Sequence, residues 1–213
     1  MKKAIIIAHG NKPDTDVLKR YIDKDDLIIC ADGGAEYAFL AGYIPHVVVG
    51  DMDSLSKVQQ TNLKKYDIEW ISYPKHPKYQ TDAELAIQHV LKEKFKQIVM
   101  FGIYGSRVDQ SLATILFIAK QQQFDGQFVI VEDKQEIQIV SKSIEIKGKE
   151  GEIFSVIPLQ QNATGVSIVR AMYPLKTQTI PYGSTLGISN EFKKSSVKIS
   201  LQKGVVLVIH QRK

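Results

Sequence analysis

Residues 27–35 read Leu27-Ile28-Ile29-Cys30-Ala31-Asp32-Gly33-Gly34-Ala35: an unbroken apolar run, then a carboxylate, then two glycines. Such a run fits a strand covered on both faces, because a strand with one face in water alternates apolar and polar residues. Strands covered on both faces belong to parallel sheets flanked by helices, so this stretch predicts an α/β layer with Asp32 at a strand's carboxyl end. Similar apolar runs occur at 4–8, 47–50, 68–73, 98–101 and 128–131, with helical stretches between them. One helix opens at Thr81, with Glu84 three residues on in a capping-box pattern, and places Leu85, Val90 and Leu91 near one face. Another runs from about Val108, with Leu112, Ile115, Leu116 and Ala119 as its expected buried stripe. Trp70, in the run 68–73, is expected in the core.

After Asp125-Gly126 the helical period disappears. Strand-like runs at 136–140, 143–147, 153–159, 165–170, 175–180, 197–201 and 205–210 are separated by turn signals such as Gly148, Asn162, Pro174 and Gly204. Short strands without helices predict an antiparallel sandwich or barrel. The expected organisation is an α/β domain over 1–133, with a mainly parallel sheet, followed by an all-β sandwich domain over 134–213.

Composition narrows the class. The chain has 213 residues, 44% hydrophobic and 24% charged, an ordinary globular mix that excludes disordered, collagenous and low-complexity classes. Its one cysteine, Cys30, forbids an intrachain disulfide and points to a reducing cytoplasm. The apolar start stops at His9-Gly10-Asn11, too short for a signal segment, and no run approaches the ~18 apolar residues of a membrane span. A soluble cytoplasmic protein without a membrane partner is expected. Residues 1–133 hold 16 Lys+Arg against 18 Asp+Glu, a net −2, whereas residues 134–213 hold 12 against 5, a net +7. The lysines of the basic half sit singly in alternating patterns such as Ser196-Val197-Lys198-Ile199-Ser200. A solvated strand face accounts for them, so no nucleic-acid partner is expected.

The chemistry collects at strand ends. The run ending at Ala31 is followed by Asp32-Gly33-Gly34, and the run ending at Gly50 by Asp51-Met52-Asp53-Ser54. The run 68–73 leads to Thr81-Asp82, and the run 98–101 leads through Gly102 and Gly105-Ser106 to Arg107-Val108-Asp109. In a parallel sheet all four segments leave the same carboxyl edge, where open α/β sheets bind ligands. Singly, each has an ordinary explanation: a turn, a helix cap, an acid favoured by a helix dipole, or a surface ion pair. Together they put five aspartates and an arginine in one crevice, which needs cations to offset the repulsion. Mg²⁺, bound by carboxylates and substrate phosphates, is the natural one. A P-loop, a dinucleotide fingerprint, a nucleophile elbow and metal-spaced histidines are all missing from the sequence, and Cys30 reads as a packed strand residue.

The same residues carry a resemblance. Ala31-Asp32-Gly33-Gly34-Ala35, Gly50-Asp51-Met52-Asp53-Ser54, Thr81-Asp82-x-Glu84-x-Ala86, Gly102-x-x-Gly105-x-Arg107-x-Asp109 and Leu186-Gly187-Ile188-Ser189-Asn190-Glu191-Phe192 resemble, in order and spacing, the thiamine pyrophosphokinase family. The resemblance implies ATP-dependent pyrophosphoryl transfer to thiamine, giving thiamine diphosphate and AMP, with Mg²⁺ and a homodimer whose active sites are composite. It implies Asp51, Asp53 and Asp82 as metal ligands and Asp82, Arg107 and Asp109 in catalysis, with either acid orienting or deprotonating the hydroxyl. Asp32, Gly33, Gly34, Ser54, Lys78 and Thr81 fall among the nucleotide- and cofactor-binding positions. Ser189 and Asn190 are implied to meet thiamine, with Phe192 as an aromatic neighbour of its ring. The chain departs from the family pattern at Tyr79, Ser106, Gln110 and Thr114, none of them a metal acid. Two alternatives stand beside this reading: another Mg²⁺-dependent diphosphate transferase or hydrolase, and a non-catalytic nucleotide or thiamine sensor.

Overall fold

A computed structural model of the chain describes residues 3–72, 80–121 and 123–213. The chain divides into two compact units, Met1–Phe117 with Phe124–Asp133, and Ile118–Gln123 with Lys134–Lys213.

The first unit alternates strand and helix: β1 (Ala4–Ile7), α1 (Thr15–Tyr21), β2 (Leu27–Ala31), α2 (Gly34–Leu40), β3 (Val47–Gly50), α3 (Lys57–Leu63), β4 (Glu69–Ser72), α4 (Asp82–Leu91), β5 (Gln97–Phe101), α5 (Val108–Ala119) and β6 (Gln127–Glu132). Its strands lie in the order β6-β5-β1-β2-β3-β4 and every pair is parallel. β1 and β3 are buried at every position, as their unbroken apolar runs require. Ile5, Ile7, Cys30, Val48 and Val99 belong to one apolar cluster, each full-sized aliphatic side chain contributing about 1.5–3 kcal/mol by leaving water.

Two details differ from the sequence pattern. Leu112 and Leu116 of α5 are 53% and 42% exposed, while the buried face carries Ser111, Thr114, Ile115, Ile118 and Ala119. The helix buries small hydroxyl residues because their side chains find backbone partners: Ser111 Oγ donates to Ile103 O at 3.0 Å and Thr114 Oγ1 to Gln110 O at 2.9 Å. Trp70 lies on the edge strand β4 and is only partly buried against the core.

The second unit holds β7 (Gln135–Val140), β8 (Ser143–Lys147), β9 (Ile153–Pro158), β10 (Ala163–Val169), β11 (Leu175–Ile180), β12 (Asn190–Glu191), β13 (Ser196–Ser200) and β14 (Val206–Gln211). They run antiparallel in the orders β12-β9-β14-β7 and β11-β10-β13-β8. Phe154, Val156, Val166, Ile199 and Val208 belong to a common core. On β13, Val197 and Ile199 are buried and Lys198 is exposed, the alternation of a half-wet sheet. The α/β-then-β architecture is the one the sequence predicts. Only β12, two residues long, escapes any periodicity.

Candidate active site

The order 6-5-1-2-3-4 reverses direction at β1, since β2 lies on one side of it and β5 on the other. Such a switch point splays the loops leaving neighbouring strands and opens a crevice at their carboxyl ends. Here the loops after β1 and β5 stay locked together, with Ala8 N donating to Phe101 O at 2.9 Å and Gly10 N to Gly102 O at 2.8 Å. The crevice beside them has a volume of about 980 Å³.

Its acidic wall comes from β2, β3 and α4. Asp32 follows β2 directly, with a left-handed φ of 47° and its amide bonded to Val49 O at 2.8 Å. Met52 is also left-handed, at φ 62°, and this sharp turn separates Asp51 from Asp53 while Asp53 N donates to Asp51 Oδ1 at 3.3 Å. Gln60 of α3 anchors the loop by donating to Met52 O and Leu55 O, both at 3.0 Å. Carboxylate oxygens of Asp32, Asp51 and Asp53 all lie within 4.8 Å of one another. Hard oxygen donors that close together can hold a divalent cation. Asp82 stands over Gly50, where a Cβ would lie 3.1 Å from Asp82 Oδ1 and 3.3 Å from Asp32 Cβ.

Asp32 is the strained member. It is buried, and its Oδ1 has no hydrogen-bond partner among the described residues. Burial raises its pKa above the ordinary 3.8; a Ser54 hydrogen bond opposes the shift, and Asp82, Asp53 and Asp51 add to it. Sequence reasoning places Asp32 with the nucleotide; in the structure its carboxylate also lies within 4.8 Å of those of Asp51 and Asp53.

Arg107 lines the crevice, but Asp109 does not. Arg107 Nε and Nη2 donate to Asp109 Oδ1 and Oδ2 at 2.9 and 2.5 Å. That fork holds the Asp109 carboxyl down at about 2. Of the two acids considered for activating the hydroxyl, Asp109 is thus already engaged through both oxygens outside the crevice. Thr81 caps α4, its Oγ1 accepting from Glu84 N at 3.1 Å, while Glu84 accepts from Gln80 and Gln88 instead of closing the box. Ser54, Thr81, Ser106, Gln110 and Thr114 all line the crevice, whereas Gly33 and Gly34 are buried at the start of α2. Lys78 and Tyr79 lie outside the described residues.

The 189–192 segment belongs to the second unit. Ser189 is exposed, left-handed at φ 56°, and its amide donates to Ser155 Oγ at 3.1 Å. Asn190 is buried; its Oδ1 accepts from Tyr173 N at 3.0 Å and its Nδ2 donates to Tyr173 O at 2.7 Å. It shapes the loop from within. Phe192, expected as an aromatic neighbour for a ligand ring, is fully buried between Phe154 and His210, at centroid distances of 5.4 and 4.8 Å. That placement makes it a core residue.

Sequence reasoning missed His9, Gly10, Asn11 and Gln80, which also line the crevice. The signal for the first three was the carboxyl-edge rule itself, which the sequence reading applied to the ends of β2, β3, β4 and β5 but not to β1.

Oxygen donors, a guanidinium and hydroxyls gathered at the switch point of a parallel sheet are the parts of a phosphoryl-transfer enzyme, the class this fold and crevice define. Comparison with known proteins narrows it. Residues 18–130 match the family model described as thiamin pyrophosphokinase, catalytic domain, and residues 136–206 match thiamin pyrophosphokinase, vitamin B1 binding domain. The chain is 30% identical over 211 residues to thiamine pyrophosphokinase of Bacillus subtilis, covering 98% of each. A crystal structure of a thiamine pyrophosphokinase from that organism superposes with a TM-score of 0.89 at 28% identity over the whole of both chains. One from Geobacillus thermodenitrificans gives 0.86 at 23%, covering 100% of this chain and 98% of that one. The chain belongs to the thiamin pyrophosphokinase family, whose members transfer a pyrophosphoryl group from ATP to thiamine, producing thiamine diphosphate and AMP.

Proposed function

We propose that this chain performs the family's reaction in the crevice at the switch point, with Asp32, Asp51 and Asp53 holding Mg²⁺ and Asp82 beside them. The observation that carries this reading is the buried Oδ1 of Asp32, without a hydrogen-bond partner among the described residues, inside a trio of carboxylates within 4.8 Å of one another. A buried anion among like charges is costly without a cation, and these donors fit one. Bound there, Mg²⁺ would neutralise triphosphate charge and withdraw electron density from the phosphorus under attack.

The chain's own groups supply alignment. The hydroxyl oxygen of thiamine bonds to the β-phosphorus of ATP as the bond to the α–β bridging oxygen breaks, and AMP departs. Asp82 would orient that hydroxyl and take its proton, a role supported by its lining the crevice while Asp109 is engaged by Arg107 outside it. Arg107 offers a planar fork for phosphate oxygens once Asp109 releases it. Ser54 and Thr81 add hydroxyls at the same edge. Residues 1–133 thus serve as the ATP- and Mg²⁺-binding domain, and residues 134–213 as the thiamine-binding and dimerisation domain. Two copies pair as a homodimer, the Ser189 loop of one completing the other's site, in the cytoplasm, where a lone buried Cys30 is stable as a thiol.

The test is product analysis with ATP, thiamine and Mg²⁺. Equimolar AMP and thiamine diphosphate, lost on chelation, support the proposal. ATP consumption indifferent to thiamine would mark a hydrolase, and binding of either substrate without product would mark a sensor.

A further inference from the structure

The imidazole of His9 has no part in the chemistry above, yet it sits where that chemistry occurs. It lies two residues beyond the end of β1, at the switch point, and lines the same cavity as Asp32, Asp51 and Asp53. Its ring is held from two sides. A Cβ on Gly33 would lie 2.5, 2.6 and 2.7 Å from His9 Nδ1, Cγ and Cδ2. Nearly equal distances to three ring atoms put the face of the imidazole against the glycine, so only glycine leaves the ring room there. Tyr37 packs beside it with centroids 5.2 Å apart at 45°, and Tyr37 Oη donates to Gly10 O at 3.1 Å, tying the tyrosine to the next residue along. The backbone on both sides is fixed by the Ala8–Phe101 and Gly10–Gly102 hydrogen bonds.

The ring is therefore oriented by packing alone. Neither nitrogen has a hydrogen-bond partner among the described residues. The cavity around it is rich in carboxylates, and its hydroxyl and amide donors are neutral. Among the described residues, Asp32, Asp51, Asp53, Asp82 and Glu84 line it against a single guanidinium, Arg107, whose fork is occupied by Asp109. A triphosphate has more oxygens than a cation and one arginine can satisfy, and imidazole presents an N–H donor in its neutral form as well as its charged one.

We propose that His9 is a nucleotide-contacting residue that donates a ring N–H to a phosphate oxygen of the bound nucleoside triphosphate, with Gly33 and Tyr37 as the surfaces that aim it. The proposal rests on the reading that this crevice takes ATP; its test does not require turnover. A non-hydrolysable ATP analogue with Mg²⁺ is titrated calorimetrically into wild type, His9→Ala and His9→Gln, with melting curves confirming that the variants fold. Loss of a hydrogen bond to a charged group should weaken the analogue about 10- to 100-fold in His9→Ala. His9→Gln, which keeps an N–H donor, should recover most of that. In turnover, KM for ATP should rise in His9→Ala while KM for thiamine stays put.

Unchanged analogue affinity in His9→Ala overturns the proposal. So does a fall in kcat with affinity intact, which would place the imidazole on the acceptor's proton. Weaker binding of Mg²⁺ alone would make it a metal ligand and overturn the proposal equally. If the analogue binds in a His9-dependent way but no thiamine diphosphate forms, the inference stands and the assigned acceptor is wrong. If wild type binds no analogue, both fail.

Discussion

Replacing Asp32 by asparagine should stabilise the metal-free protein and disable it. Asp32 is 6% exposed, carries an oxygen without a partner among the described residues, and has a pKa raised by burial and by Asp82, Asp53 and Asp51. An unsatisfied buried acceptor costs roughly 1–3 kcal/mol, more when charged. The Asp32→Asn side chain would keep the shape, lose the charge, and offer an amide N–H₂ to the neighbouring carboxylates. The expected gain is about 1–3 kcal/mol, which for a chain of this size is roughly 2–12 °C in Tm. The sign with pH follows from the raised pKa. The cost of the charged form is fully present above the folded-state pKa and is gone below the ordinary 3.8, so the advantage of the variant is greatest at neutral pH and disappears on acidification. Mg²⁺ should reverse the ranking, because it stabilises only a protein that binds it. The assay is thermal melting of wild type and variant at neutral and acidic pH, with Mg²⁺ and with chelator, alongside AMP release. A variant that melts lower than wild type in chelator refutes the reasoning; so does one that keeps both its Mg²⁺-dependent shift and its turnover.

Asp51→Asn and Asp53→Asn should each lower Mg²⁺-dependent AMP release by ~10²–10³ with little change in melting temperature; near wild-type rates in both would remove them from the metal site. Asp82→Asn should be far more damaging than Asp109→Asn, and the reverse order would return the proton to Asp109. Phe192→Ala should cost about 3–5 kcal/mol in urea unfolding, as the loss of a fully buried aromatic does, whereas unchanged stability with a selectively raised KM for thiamine would make it a ligand contact after all. A purified heterodimer of an Asp51→Asn subunit with a Ser189→Ala subunit should regain roughly half of wild-type sites if sites are shared across a two-fold pair, and none if each chain completes its own.

The fold was legible where one physical signal dominated. Fully buried strands such as β1 and β3 advertise themselves as unbroken apolar runs, and the alternating Val197, Lys198 and Ile199 announce a half-wet sheet. The convergence of positions 32, 51, 53, 82 and 107 on one crevice followed from a single geometric rule about parallel sheets; what they bind there is the reading proposed above. The failures have equally definite causes. Leu112 and Leu116 look buried by type, but α5 turns Ser111 and Thr114 inward because their hydroxyls find partners on the backbone. Phe192 follows a strand too short to show any period, so nothing local distinguishes an aromatic facing a ligand from one facing Phe154 and His210. His9 was hidden because its run was read for where it stopped being apolar, while its place in the crevice follows from which strand it comes after.

The arrangement also explains why a crevice this acidic can persist. Asp32 is not free to swing out to water: its left-handed turn is pinned by the bond to Val49 O, and the strand behind it is buried on both faces. Asp53 sits on a loop stapled to α3 by Gln60, and Asp82 on a helix whose first turn is capped by Thr81. Repulsion that would open a flexible loop is here set against the apolar packing of the sheet, which is far larger than the few kcal/mol the carboxylates cost. The acids are thus held close before any cation arrives. Arg107 and Asp109, by contrast, are both about two-thirds exposed, and their mutual fork is screened by water and weak enough to exchange. On the proposed reading, rigid acids for a cation and a releasable arginine for phosphates are different mechanical requirements, and buried strand ends with a capped helix suit the first while a wet loop suits the second.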